Sequence, residues 1–131
     1  MADTLLRGGE YLIAEVNAED VFTPEDFSDE QRQFGETTEQ FVTNEILPRI
    51  EEIDQQHFDI VVDGMRTCGE LGLLMMDAPE EYGGLELDKA SSMLVAERIA
   101  VSGSFSVAYA AHTGIGTLPL VYYGTHEQKE K

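Results

Sequence analysis

A chain of 131 residues with 42% hydrophobic content is long enough and apolar enough to bury the core of one compact domain, which excludes a disordered acidic tail. A formal net charge of −18 repels phosphate backbones and anionic lipid, so nucleic-acid binding and peripheral membrane attachment are excluded as leading functions. The single cysteine, Cys68, rules out an intrachain disulfide and a cysteine-based zinc site, and no apolar run approaches the roughly 20 residues of a membrane span.

The amino-terminal residues carry acids early and lack a long apolar core, so they do not read as a signal peptide, and a reducing cytoplasm is the expected compartment. Residues 1–27 mix apolar groups (Leu5-Leu6, Tyr11-Leu12-Ile13) with acids and without sustained periodicity, which predicts an arm. Phe22 and Phe27 are expected to dock on the body, and Thr23-Pro24-Glu25-Asp26 to form a short helical turn with Thr23 capping and Pro24 at its first position.

Ser28 and Gln31 have the spacing of a capping box, and Asp29 and Glu30 fall where the helix dipole favours negative charge, so the first long helix opens there. Phe34, Thr38, Phe41, Val42 and Glu45 share a face, with Ile46 and Ile53 continuing nearby, until Pro48 kinks or splits the helix. A second helix is predicted over 58–71, with Val61, Met65 and Cys68 as its stripe and Gly72 as a left-handed cap. Leu73 to Ala78 is too short for a helix, and Glu80 to Gly84 reads as a turn.

Asp88 caps a third helix over 89–102, whose stripe of Ala90, Met93, Leu94, Glu97 and Ala100 is widened by Val95 and Ile99, predicting burial on more than one side. Gly103 ends it, and Ser104 is expected to cap a helix over 105–113 that Gly114 and Gly116 break. A short helix then runs from Thr117-Leu118-Pro119 to Gly124. The capping box Thr125–Gln128 starts another just before Lys131, so the chain is expected to be a piece of something longer. The fold class is all-α, with five to six helices.

The stretch from Gly103 to Gln128 is nearly uncharged and rich in Ala, Ser, Gly and Val. Small residues on a helix permit either close approach of another helix or a wall facing a ligand, and the pattern leaves both open. Elsewhere chemistry is sparse. His57, His112 and His126 have no metal-ligand spacing, Ser104 and Ser106 lack a nucleophile-elbow motif, and Gly114-Ile115-Gly116 matches no phosphate-binding signature.

Four blocks in order carry a resemblance: Glu70-Leu71-Gly72-Leu73-Leu74; Ala78-Pro79-Glu80-Glu81-Tyr82-Gly83-Gly84-Leu85, followed by Asp88 and Glu97-Arg98-Ile99-Ala100; His112 to Leu120; and Gly124 to Lys129. Together they resemble the amino-terminal helical domain of acyl-CoA dehydrogenases. Phe22 to Phe27 and Glu45 to Arg49 resemble the long-chain and very-long-chain, bacterial-like members.

The resemblance implies a flavoenzyme of fatty acid β-oxidation. In it a carboxylate takes the α-proton of an acyl-CoA thioester, the β-hydrogen leaves as hydride to FAD, and electrons pass to an electron-transfer flavoprotein. It also implies that the base and most FAD contacts lie in a β-domain and a carboxy-terminal helical domain outside residues 1–131. No catalytic, metal or cofactor-binding residue is therefore expected in this chain, FAD is not expected to bind it alone, and the chain by itself is expected to be inactive and prone to self-association.

Residues 1–27 would be the arm and 28–131 the domain. Val107, Ala108, Ala111 and Ile115 would line the acyl-chain cavity, small enough for a long acyl group. Two other readings remain open at this point: a free-standing acidic helical interaction module, and an oxidase on the same scaffold.

Overall fold

The computed structural model describes residue 6 and residues 8–130, so Leu5 of the arm's apolar pair and the terminal Lys131 lie outside the described residues. Among the described residues there is no strand, and the architecture is all-α as expected.

The arm ends in a 3-10 turn, Pro24–Asp26, in which the Asp26 carboxylate accepts from the Thr23 N–H at 2.8 Å and hydroxyl at 3.0 Å. Phe22 and Phe27 meet edge to face at 5.4 Å, but only Phe27 turns inward; Phe22 stays exposed.

Helix α1 (Asp29–Phe41) opens on the Ser28–Gln31 capping box, both halves of which are formed. Around Pro48 the α-helical path divides as expected: α1 stops at Phe41 and α-helix resumes only at Ile50, after Arg49 at φ −114, ψ 12. Residues Val42–Ile46 widen into a π turn, with the Leu47 N–H donating to the Val42 carbonyl, and a 3-10 turn (Leu47–Arg49) leads into α2 (Ile50–Asp54). Widening the turn before a proline makes room for a ring that an α turn would drive into residue 44.

Helix α3 (Phe58–Glu70) ends in a Schellman motif: Gly72 sits at φ +78, Leu73 N–H donates to Cys68 O, and Gly72 N–H to Gly69 O. Its buried stripe is Ile60, Gly64 and Cys68, one step round from the expected Val61 and Met65, which are half-buried. The reason is Gly64. A Cβ there would lie 2.7 Å from Phe105 Cε2 and 2.9 Å from Ile46 Cδ1, so the missing side chain is the contact point and the stripe is centred on it. Hydrophobicity alone gives such a position no weight.

After α3 the chain folds back on itself. Leu85 and Leu87 N–H groups donate to Met75 and Met76 carbonyls, which seals Leu73 and Met76 in the core. Helix α4 (Lys89–Ala100), capped by Asp88, then lies beside α1 in the same direction. Gln31 Nε2 donates to the Asp88 carboxylate and to Ser91 Oγ, Leu94 fits against Gly35, and Arg98 pairs with Glu39 at 3.6 Å. Its core face is Ser91, Leu94, Val95 and Ile99; Met93, Glu97 and Ala100 face outward, so α4 is buried on one side only.

Helices α5 (Ser104–Ala110) and α6 (Leu118–Tyr123) are joined by a second π segment, Ala111–Thr117. Gly114 and Gly116 therefore do not break the helix; they lie in its widened part, again just ahead of a proline, Pro119. The Thr117 hydroxyl also donates to the His112 carbonyl, five residues back, at 2.8 Å. Gly124 leaves the helix in extended conformation, and the Thr125–Gln128 capping box opens α7 (His126–Lys129). No helix among the described residues is long and apolar enough to cross a membrane.

Candidate functional site

The helix from Ser104 to Tyr123 is held by one face. Phe105 is fully buried, edge-on to Phe41 at 6.0 Å and over Gly64. One turn on, Tyr109 is buried and its hydroxyl donates to the Leu73 carbonyl at 2.9 Å. Burial raises the Tyr109 pKa above 10.0, and burial with a smaller contribution from Glu45 pushes the Cys68 thiol from 9.0 to about 12. Both groups are therefore neutral parts of the core.

Ser104, expected to cap this helix, does not. Gly103 occupies the cap, while the Ser104 hydroxyl donates to Asp54 Oδ1 at 2.5 Å and ties the helix to the end of α2. A serine beside a glycine in sequence is ambiguous between these roles until the acceptor across the fold is known.

The opposite face carries the residues singled out in the sequence. Val107 and Ile115 are 68% and 83% exposed, Ala111 is exposed between them, and Ala108 is half-buried at the edge. Val107, Ala111 and Ile115 succeed one another along the helix, giving a narrow apolar strip without a charge or a long side chain. The outward Met93 and Val101 of the preceding helix region add to the exposed apolar surface of the chain.

Beyond the strip, α7 is clamped to the 80–82 turn: Tyr82 Oη lies 2.8 Å from His126 Nδ1, and Lys129 Nζ stands over the Tyr82 ring at 5.7 Å. Between them opens an apolar cleft of about 170 Å³ lined by Ala78, Pro79, Thr117, Leu120 and Val121, among others. Leu120 and this clamp are not singled out by the sequence; Tyr82 and His126 are 44 residues apart, and nothing local announces the pairing. A larger cleft, about 300 Å³, lies between the arm, α1 and α4, but Arg32, Glu36, Glu39, Glu97 and Arg98 line it, which does not suit a hydrocarbon chain.

A family model for the acyl-CoA dehydrogenase N-terminal domain matches residues 28–131. The chain belongs to that family. It is similar to a probable acyl-CoA dehydrogenase of Bacillus subtilis, 48% identical over 125 residues that make up 95% of this chain and 21% of that protein. It is also similar to a mitochondrial isovaleryl-CoA dehydrogenase of Solanum tuberosum, 41% identical over 107 residues, 80% of this chain and 26% of that protein.

Among solved structures, an acyl-CoA dehydrogenase of Bacillus anthracis complexed with FAD superposes with a TM-score of 0.89 at 50% identity, covering 95% of this chain and 22% of that one. The chain spans about a fifth to a quarter of the length of these relatives.

Among the described residues, few cationic side chains stand free to meet the pyrophosphate of a flavin dinucleotide. A pyrophosphate needs cationic or N–H donors, and the side chains of Val107, Ala108, Ala111 and Ile115 supply none; His112 is exposed on the same stretch. Arg49, Arg66, Lys89 and Arg98 pair with Glu52, Asp63, Asp77 and Glu39, although the buried Arg98 Nε has no hydrogen-bond partner; Arg32 donates to the Phe27 and Glu25 carbonyls, and Lys129 stands over the Tyr82 ring.

Proposed function

We propose that this chain forms one wall of the acyl-chain cavity in an FAD-dependent acyl-CoA dehydrogenase of the long-chain type, with residues 1–27 as an arm and 28–131 as the helical domain. The observation that carries the reading is the outward strip of Val107, Ala111 and Ile115, with Ala108 at its edge, on a helix whose other face is locked by Phe105 and Tyr109. A rigid helix with small apolar side chains turned outward is suited to excluding water along a hydrocarbon chain while leaving depth for it.

The reaction proposed for the whole protein is α,β-dehydrogenation of a fatty acyl-CoA in β-oxidation, with FAD, held by residues outside this chain, supplying the hydride acceptor. Electron-transfer flavoprotein is the proposed partner and the cytoplasm the proposed compartment. No acid of residues 1–131 is assigned as the base; this chain binds and measures the acyl group.

Each methylene buried in such a cavity contributes up to about 0.8 kcal/mol, close to fourfold in binding. Replacing Ala111 by Gln in the full-length enzyme is therefore expected to lower kcat/KM for long acyl-CoAs and to shift the optimum toward shorter ones. Measured across a series of straight-chain acyl-CoAs, an unchanged profile would sink the reading. The same uncovered strip should make the isolated chain self-associate; sedimentation showing a clean monomer at high concentration would argue against an uncovered wall.

A further inference from the structure

Phe105 and Tyr109 are buried, but from Ala110 to Glu130 no residue is. That stretch holds Ala111 and Ile115 of the strip, the π segment they lie in, α6 and α7. Its most covered apolar side chains, Leu118 and Val121, are no more than half-buried. Behind α6 the packing is incomplete as well, because Thr117, Leu120 and Val121 share the apolar cleft of about 170 Å³ with Ala78 and Pro79. Unfilled space forfeits the close contacts that fix a helix in a core, so packing alone does not set where α6 stands.

A polar hold lies at the far end. Tyr82, on the 3-10 turn Glu80–Tyr82, meets His126 with Oη 2.8 Å from Nδ1 and the two rings 5.6 Å apart. The other ring nitrogen, Nε2, is 3.3 Å from Glu130 Oε1. A proton on Nε2, directed at that carboxylate, leaves Nδ1 to accept from the Tyr82 hydroxyl, so one tautomer serves both contacts. The Thr125–Gln128 capping box orders the first turn of α7, and Gly124 N–H donates to the Leu120 carbonyl at 2.9 Å, which carries the grip on His126 back to α6. Upstream, the Tyr109 hydroxyl donates to the Leu73 carbonyl. Ala111 and Ile115 therefore lie in a widened turn slung between two tyrosine hydroxyl contacts.

We infer that Tyr82 and His126 are positioning residues for the acyl-chain wall: their hydrogen bond, acting through α6 and the π segment, sets where Ala111 and Ile115 stand against the acyl group. The inference deepens the proposal that this strip lines the acyl-chain cavity and rests on it.

The test uses the full-length enzyme. Tyr82→Phe and His126→Leu remove the hydrogen bond, whereas His126→Asn keeps an acceptor close to the place of Nδ1. Amide hydrogen exchange over residues 111–123 is expected to speed up about two- to tenfold in the first two variants, the worth of one such bond, and to stay at the wild-type rate in His126→Asn. The ratio of kcat/KM for a long straight-chain acyl-CoA to that for a short one is expected to fall about two- to fourfold, at most the worth of one buried methylene, through KM rather than kcat. His126→Asn should keep the wild-type ratio. Unchanged exchange, an equal loss for every chain length, or a wild-type ratio beside faster exchange would each overturn the inference. Ala111→Gln separates the two readings. If it moves the chain-length profile and Tyr82→Phe does not, the wall stands and the clamp fails; if it leaves the profile unmoved, the wall itself fails, whatever the exchange rates.

Discussion

Along the helix from Ser104 to Tyr123, Phe105 and Tyr109 are sealed into the core, while Val107 and Ile115 on the other side stand open to solvent. Both faces are apolar, and hydropathy alone does not separate them. What separates them is what lies opposite: Gly64, Phe41 and the Leu73 carbonyl receive the first face, and no described residue buries the second. The contrast is between a face the fold covers and a face of the same helix that it leaves open.

The strongest way to break the contrast is Phe105→Ala. Removing a fully buried aromatic ring should cost about 3–5 kcal/mol in urea denaturation followed by circular dichroism; a loss below that range would mean the inner face is not the anchor. Gly64→Ala comes next. The added methyl has to displace Phe105 or Ile46, both buried, at about 1–3 kcal/mol by the same measurement.

Alkaline pH probes the same face. Cys68 and Tyr109 hold their protons more tightly folded than unfolded, so their contribution is complete below the unfolded values of 9.0 and 10.0. It is lost as pH rises through the raised folded values. Stability should therefore fall above about pH 9, and Cys68→Ala should flatten that fall; an identical pH profile would show that the thiol is not held in the core.

Tyr109→Phe removes the hydrogen bond to Leu73 and is expected to cost about 0.5–1.5 kcal/mol. Substitution on the outer face should be smallest. Ala111→Ser is expected to change stability by less than about 0.5 kcal/mol, and a larger loss in thermal or urea unfolding would place Ala111 in the framework instead.

Much of the fold is legible in the sequence. The Ser28–Gln31 and Thr125–Gln128 capping boxes, the Asp88 cap and the Gly72 stop all form, because each depends on residues within a turn of one another. The departures share a cause. Ser104 bonds to a residue fifty positions away rather than to its own helix, and the α3 stripe is centred on a glycine chosen by Phe105 and Ile46. The α4 stripe lies a step off its expected place because Met93 and Ala100 are apolar without being opposite anything.

The two prolines make the same point about backbone. Each follows a π segment, so at Pro48 the expected interruption is spread over a π and a 3-10 turn before α2, while Pro119 sits in the first turn of α6 as expected and the break expected at Gly114 and Gly116 is a widened turn instead.

By itself, then, the sequence determined the all-α class, most of the helix starts, and the blocks of residues that mark an acyl-CoA dehydrogenase N-terminal domain, because caps, helical periodicity and family motifs are local. Only the tertiary structure decided which face of each helix is core. Burial is a property of pairs of surfaces, and an apolar residue becomes framework only when the fold brings something to cover it.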